Sequence, residues 1–348
     1  MRVLVGDIGG TKTGLGVAET DGTAVTLREV RRYPSGDFDS LESLVIAYLE
    51  ETGQSPPRDC PFGAFAVAGP VEGRHCRTTN LPWEIDADLF EHLLDFRAVG
   101  LLNDLEAVAW GVRALGPDDL AVLHPGEPGP GNACVVAAGT GLGEAGLFWD
   151  GARHHPFATE GGHTDFAPVD EREFALLGYL QQRFGRVSWE RVASGMGIGN
   201  LYEFFLDRHR AATPDWLAAE FAAGDRAAAI AAAAAAGRCP VCVETMELFF
   251  GLYGREAGNM GLKHLALGGV YLGGGIAPKN LAVLTASRFL DGFFAKGRME
   301  PLMRRMPVRV ILRTDTPLLG AARYICAVRG AAALRLTQDG HVPATDPT

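Results

Sequence analysis

One pattern occurs twice in this chain, and it limits the fold more than any single residue does. "DIGGTKTGLG" at 7–16 and "AAGTGLGEAG" at 137–146 each run from the end of a buried strand, through a glycine-rich turn, into a second strand. Each is later closed by an Asp-Gly turn, at 21–22 and at 150–151. Repetition of a strand–turn–strand unit implies repetition of the surrounding architecture. Two related α/β halves facing a cleft are therefore expected.

The flanking segments agree. "RVLVGDI", "GLGVAE" and "AVTLREVRRY" read as three strands, and "DFDSLESLVIAYLEET" reads as a helix from its apolar spacing. A strand over "FGAFAVAG", a short hairpin over "VEGRHCRTTN", a helix over "DADLFEHLL", a strand over "AVGLLN" and a helix over "DLEAVAWGVRAL" follow. The series restarts with strands at "NACVVAAG" and "EAGLFWDG", then helices and the strand "LALGGVYLGGG". Proline and glycine break the pattern over "LGPDDLAVLHPGEPGPGN", which places the boundary there. A length of 348 residues also exceeds what one core supports. The expected division is a small α/β domain, 1–114 plus 316–340, and a large one, 115–315. The apolar helix "PLLGAARYICAVRGAAALRL" crosses back to pack on the first half, and the tail "VPATDPT" is expected to be disordered.

A formal net charge of −10, with no cluster of Lys and Arg, argues against nucleic acid or an anionic membrane as a partner. An anionic ligand must then be held locally, by backbone amides. No stretch is long and apolar enough to span a bilayer, and the N-terminus lacks a leader pattern. With six scattered cysteines, a cytoplasmic protein with reduced thiols is expected. Cys239 and Cys242 form a CxxC, but no second Cys/His pair completes a zinc site, so structural thiols are the expectation.

Three glycine turns are candidates for holding a nucleotide. At "GDIGGTKTG" the backbone can bend to face an anion, with Asp7 at the strand end and Thr11 and Thr13 adding hydroxyls; a tight hairpin is the alternative. The second turn contains a literal GxGxxG at Gly141, Gly143 and Gly146. A dinucleotide fingerprint needs a helix directly afterwards, whereas "EAGLFWDG" alternates as a strand. The third, "YLGGGIAPKN", follows a strand and opens a helix with Pro278 in its first turn, where exposed backbone can accept a nucleotide's flat face and ribose.

Residues suited to sugar hydroxyls recur by type: "TTN" at 78–80, Asn103 with Asp104, "EGGH" at 160–163, and Glu190 in "WERV". Each has a plainer reading. Asp104 can cap a helix, Asn80 can serve a turn, His163 can be a satisfied structural histidine, and Glu190 an exposed helical carboxylate.

"GDIGGTKT", "TNLPW", "LLNDLEAVA", "AAGTGLG", "EGGHTDFAP", "SWERVASGMGIGNLY" and "LGGGIAPK" resemble, in order and spacing, the bacterial ATP-dependent glucokinases across nearly the whole chain. The resemblance implies an actin-like ATPase fold of two ribonuclease-H-like domains with a central cleft, ATP and Mg²⁺, glucose as acceptor, and a homodimer. It implies Asp104 as the base for the sugar's 6-hydroxyl, with Asn103, Glu160, His163 and Glu190 on the other hydroxyls and Asn80 nearby. Asp7, Gly9, Gly10 and Thr11 correspond to the first phosphate loop, with Asp7 reaching the metal through water. Gly139, Thr140, Gly141 and Gly143 correspond to the second, and Gly273, Gly274 and Gly275 to the adenosine-side turn. "DIGGTKT" is closer to the ROK sugar kinases and repressors, although their cysteine-rich zinc motif is absent. A ROK-type kinase of another hexose, or a polyphosphate-dependent glucokinase, is thus the alternative. A repressor is disfavoured because the first loop begins at residue 7 and the charge is wrong.

Overall fold

The computed structural model describes residues 1–339 apart from 23, 57, 79 and 80, and side chains as far as 328. The chain divides into two compact units, Met1–Gly116 with the segment from Arg313 onward, and Pro117–Leu312.

In the first unit the strands are β1 (Arg2–Ile8), β2 (Lys12–Thr20), β3 (Val25–Pro34), β4 (Phe62–Val67), β5 (Val71–Glu72), β6 (His75–Arg77), β7 (Glu84–Asp86) and β8 (Ala98–Asn103). Its helices are α1 (Leu41–Thr52), α2 (Ala87–Leu94), α3 (Asp104–Val112) and the last helix of the chain, α13 (Thr316–Asp339). The main sheet runs β3-β2-β1-β4-β8, and β5-β6-β7 form a small separate sheet. Side chains on β1 alternate between two cores, as strand geometry requires. Leu4 and Ile8 pack with Leu41, Tyr48, Phe65 and Phe90 beside α1 and α2. Val3 and Val5 pack with Leu102, Ala107, Leu318 and Ala322 beside α3 and α13. The last helix thus seals the face that the first segment leaves open, as its apolar composition indicates.

The second unit contains β9 (Leu120–His124), β10 (Ala133–Ala138), β11 (Leu142–Trp149), β12 (His154–Thr159), β13 (Gly269–Gly273) and β14 (Val308–Ile311). They form one sheet, β12-β11-β10-β13-β14-β9. Its helices are α4 (Glu171–Phe184), α5 (Gly195–His209), α6 (Asp215–Ala223), α7 (Arg226–Ala235), α8 (Pro240–His264), α9 (Ile276–Lys279), α10 (Leu281–Ala286), α11 (Phe289–Phe294) and α12 (Glu300–Met303). Tyr202, Phe205, Phe249, Phe250, Tyr253, Phe289 and Phe293, each fully buried, fill its core. Among the described residues no single helix is long and apolar enough to cross a membrane.

The two sheets share a plan. In one, β1 pairs antiparallel with β2 and parallel with β4, and β4 pairs parallel with β8. In the other, β10 pairs antiparallel with β11 and parallel with β13, and β13 pairs parallel with β14. The repeat visible in the glycine turns is therefore a repeat of topology.

Four strands differ from the sequence expectation, one of them the three-residue Glu84–Asp86, which pairs with β6. Leu120–His124 lies in the segment read as an interruption, yet it pairs with β14 as an edge strand. His154–Thr159 carries Pro156 and is largely unburied, so it too lacks an apolar run. Val308–Ile311 has only four residues, too short for a pattern to stand out.

Candidate active site

Asp7 is the penultimate residue of β1, and Gly9, Gly10 and Thr11 make the turn into β2. The turn closes on itself through Gly9 N–H to Lys12 O at 3.1 Å. A side chain on Gly9 would place its Cβ 2.9 Å from that same oxygen, so glycine is required. Ser35, which the sequence reading passes over, braces the turn. Its N–H donates to Thr11 O at 3.0 Å and its hydroxyl to Gly9 O at 2.7 Å. Thr13 is fully buried and pairs with Ser35 Oγ at 3.0 Å. Its hydroxyl therefore supports the turn instead of facing a ligand, a correction to its expected role.

Asn103 ends β8 and Asp104 begins α3, and the structure divides their roles differently from the plain reading. The helix cap is Asn103, whose Oδ1 accepts from Leu105 N at 2.9 Å and Glu106 N at 3.4 Å. Its Nδ2 donates to Gly69 O at 3.3 Å, fixing the amide at both ends. Asp104 is the first helical residue and accepts from Leu105 N at 2.9 Å. A carboxylate there sits at the positive end of the helix dipole.

Sheet register brings Asp7 near this pair. Asp7 stands opposite Ala66 of β4, and Val67 of β4 stands opposite Asn103 of β8. Two strand spacings separate them, about 10 Å. All lie at the carboxyl ends of parallel strands, where open α/β sheets bind ligands. Asp7 is pushed up to about 6 by burial first, then by the negative charge of Asp104, with the Arg32 guanidinium partly offsetting both. Asn80 lies outside the described residues.

In the second unit Gly139, Thr140 and Gly141 form the turn between β10 and β11, while Gly143 belongs to β11 and pairs with Ala137. A helix does not follow, which excludes the dinucleotide fingerprint. The start of α5 backs the turn: Gly195 N–H donates to Gly139 O at 2.8 Å and Met196 N–H to Thr140 O at 3.3 Å. The third turn lies alongside, because Gly273 of β13 stands opposite Ala137. Gly274 has φ +74°, and a Cβ there would come within 2.3 Å of Ala138 O. Gly275 opens α9.

Glu160 precedes a 3₁₀ turn, Gly161–His163, and Glu190 lies in another, Trp189–Arg191. Trp189 N–H to Thr164 O at 3.0 Å and a bridge between Asp165 and Ser188 join the two loops. The side chains of Glu160 and His163 are exposed, 73% and 57%, with His163 Nε2 3.9 Å from Glu160 Oε2. Exposure rules out an enclosed structural histidine. Glu190 is half-buried and not on an α-helix, which corrects its plain reading.

One residue ties these pieces together. Leu142 N–H donates to Glu190 Oε2 at 3.0 Å, and a Cβ on Gly162 would lie 2.0 Å from Leu142 O. The glycine turn and both polar loops are thus packed on the backbone of one residue. Sequence reasoning missed it because Leu142 acts through its main chain, which carries no residue-type signal.

Among the described residues no cluster of three His, Cys, Asp or Glu side chains suits a metal ion. Cys239 and Cys242 are both buried at the start of α8, where burial pushes the Cys242 thiol up.

The repeated sheet plan, with glycine turns at strand ends, is that of the solved sugar kinases of the actin-like ATPase type. Residues 4–327 match the family model for glucokinase. A glucokinase of Nostoc punctiforme is 41% identical over 342 residues, covering 94% of this chain and 99% of that protein. The crystal structure of a glucokinase from an Antarctic psychrotroph superposes with a TM-score of 0.80 at 30% identity, over 92% of this chain and 98% of that one. A ROK family glucokinase from Streptomyces griseus, solved with glucose and AMPPNP, shares the fold at 21% identity and a TM-score of 0.62, over 92% and 98% of the two chains. The chain belongs to the glucokinase family.

Proposed function

We propose that this chain transfers the γ-phosphoryl of Mg-ATP to the 6-hydroxyl of glucose, giving glucose 6-phosphate and ADP. In this reading Asp104 accepts the proton of the 6-hydroxyl. Asn103, Glu160, His163 and Glu190 hold the remaining hydroxyls, with Asn80 beside them. The turns at Asp7–Thr11 and Gly139–Gly143 take the phosphates, and Gly273–Gly275 the adenosine side. The reading treats the two units as ribonuclease-H-like domains.

The observation that carries it is the convergence on Leu142, which makes the second glycine turn and the Glu160, His163 and Glu190 loops one piece. Phosphoryl transfer depends on holding acceptor and donor in line, so such a rigid link is what the chemistry requires. At the reacting end, the cap on Asn103 fixes the start of α3, and the Asp104 carboxylate with it. Asp7, whose proton affinity the nearby Asp104 charge raises, is also a fit for a cation. Asp7 would reach Mg²⁺ through water while ATP holds it directly, and the ion would neutralise charge developing on the phosphoryl group. Backbone N–H groups of the turns would add to that neutralisation.

Coupled spectrophotometric turnover with a panel of hexoses and with ATP, ADP and polyphosphate tests the reading. Preference for glucose with ATP supports it, and preference for another hexose or for polyphosphate overturns the substrate assignment. The family likeness further supports a cytoplasmic homodimer, which light scattering on the purified protein would check for subunit number.

A further inference from the structure

Behind the Glu160–His163 loop lies a buried acidic pair that the phosphoryl-transfer reading leaves unused. Glu144 on β11 and Glu256 on α8 are both fully buried. Neither Glu144 oxygen meets a protein donor while both groups are carboxylates. Glu256 Oε1 is likewise buried without a hydrogen-bond donor, and Glu256 is the charge that most raises the proton affinity of Glu144, so one proton held between the two carboxyls satisfies both. Glu256 is the better-supported anion: Asn259 Nδ2 donates to its Oε2 at 2.7 Å, and Lys263 Nζ stands 3.7 Å from its Oε1. Burial, then the charge of Glu256, hold the Glu144 carboxyl well above the ordinary range, so Glu144 carries the proton and donates it.

The loop rests directly on this carboxyl. A Cβ on Gly161 would lie 1.9 Å from Glu144 Oε2, so the loop backbone packs against the acid group itself. Thr159 ties the loop's base to the same strand residue, donating to Glu144 O at 3.1 Å while accepting from Gly161 N–H at 3.2 Å. We propose that Glu144 and Glu256 share one proton and together position the Glu160–His163 loop for the hexose, so that losing the proton weakens hexose binding. This rests on the assignment of Glu160 and His163 to the hexose.

The step is a simple ionisation: the O–H bond of Glu144 breaks, the proton goes to solvent, and the electron pair stays on the carboxylate. Two adjacent buried carboxylates repel and Glu144 has no donor, so Glu144 must turn toward water. The route it faces is the Gly161 backbone. Other titratable groups surround the pair. Cys134 on β10 and Tyr253 on α8 are both pushed up by burial and by Glu144. Lys263 lies on α8, and Lys296 donates to Arg255 O and Asn259 Oδ1 and is pulled down to about 8 by burial. Glu160 and His163 lie on the loop itself.

The test is glucose KM and kcat from about pH 6 to about pH 10 for the wild type, Glu144→Gln and Glu256→Gln. An amide at 144 keeps the donated hydrogen bond and cannot ionise. The wild-type KM should be flat and then climb by about tenfold per pH unit, while Glu144→Gln stays flat. Parallel curves would assign the effect to Lys296 or another group and overturn the proposal, as would a flat wild-type curve. Glu256→Gln removes the neighbouring charge and should move the break to lower pH; an unmoved break also overturns it, even if Glu144→Gln fails to fold. Infrared spectroscopy gives a readout independent of turnover. A protonated-carboxyl band present in the wild type and absent in Glu144→Gln supports the shared proton, and its absence in the wild type refutes it. Should glucose not be phosphorylated at all, the functional reading falls while the infrared result still judges the pair.

Discussion

Glu190 Oε2 accepts a hydrogen bond from the backbone N–H of Leu142 at 3.0 Å, so a carboxylate assigned to the sugar also anchors the second glycine turn. In the proposed reading a single side chain then has two duties. Losing it leaves a partly buried N–H unpaired, at a cost of about 1–3 kcal/mol.

Glu190→Ala should raise KM for glucose and for ATP together, each by about 5- to 150-fold. Glu190→Gln keeps an acceptor for Leu142 and should spare the ATP term while still weakening glucose. Steady-state kinetics with each substrate varied will show whether the two constants separate. An unchanged ATP KM in the alanine variant would mean the turn does not depend on this bond.

At the reacting end, Asn103 and Asp104 can be told apart by substitution. Asp104→Asn should lower kcat by about 10²-fold or more with glucose binding retained, the range for losing a general base. Asn103→Ala removes the cap of α3 and should cost about 1 kcal/mol of stability, read from chemical denaturation. Near-normal turnover in Asp104→Asn would remove Asp104 as the base.

Asp7 should set a pH dependence of stability. Its proton leaves near 3.8 in the unfolded chain and near 6 in the folded one, so the folded state binds more protons in between. The associated stability is complete below 3.8 and declines as pH rises through 6. Asp7→Asn should therefore be more stable than the wild type at about pH 7.5, by at most about 3 kcal/mol, with the difference shrinking to about half a kcal/mol near pH 4. The same variant should lose activity with Mg-ATP. Paired thermal melts at the two pH values check the sign.

Gly274→Ala should be disruptive where Gly275→Ala is not. The first needs a positive φ of 74° and meets Ala138 O at 2.3 Å, whereas a Cβ on Gly275 meets only the far end of Lys279, at 3.7 Å. A loss of about 2 kcal/mol or more is expected for Gly274→Ala, visible as a lower Tm. Equal melting of the two variants would show that the third turn does not need its left-handed residue.

Much of this site can be read along the chain. Asp7, Asn103 and Asp104 sit where apolar strands end, and Gly139–Gly143 and Gly273–Gly275 follow such strands directly. Buried strands and glycine turns leave strong local signals in residue type and spacing. The edge strands Leu120–His124 and His154–Thr159 leave weak ones, because half-buried strands are not forced to be apolar.

The order of amino acids alone determined the repeated strand–turn–strand units, the apolar character of the helix that returns to the first sheet, and the polar residue types at the strand ends, since each is a property of residue type and spacing along the chain. Tertiary packing decided that Asn103 and not Asp104 caps α3, that Thr13 serves Ser35, that Leu142 gathers three loops, and that Glu144 meets Glu256 beneath Gly161. Those outcomes rest on backbone atoms and on the proximity of residues more than a hundred positions apart, which no local pattern encodes.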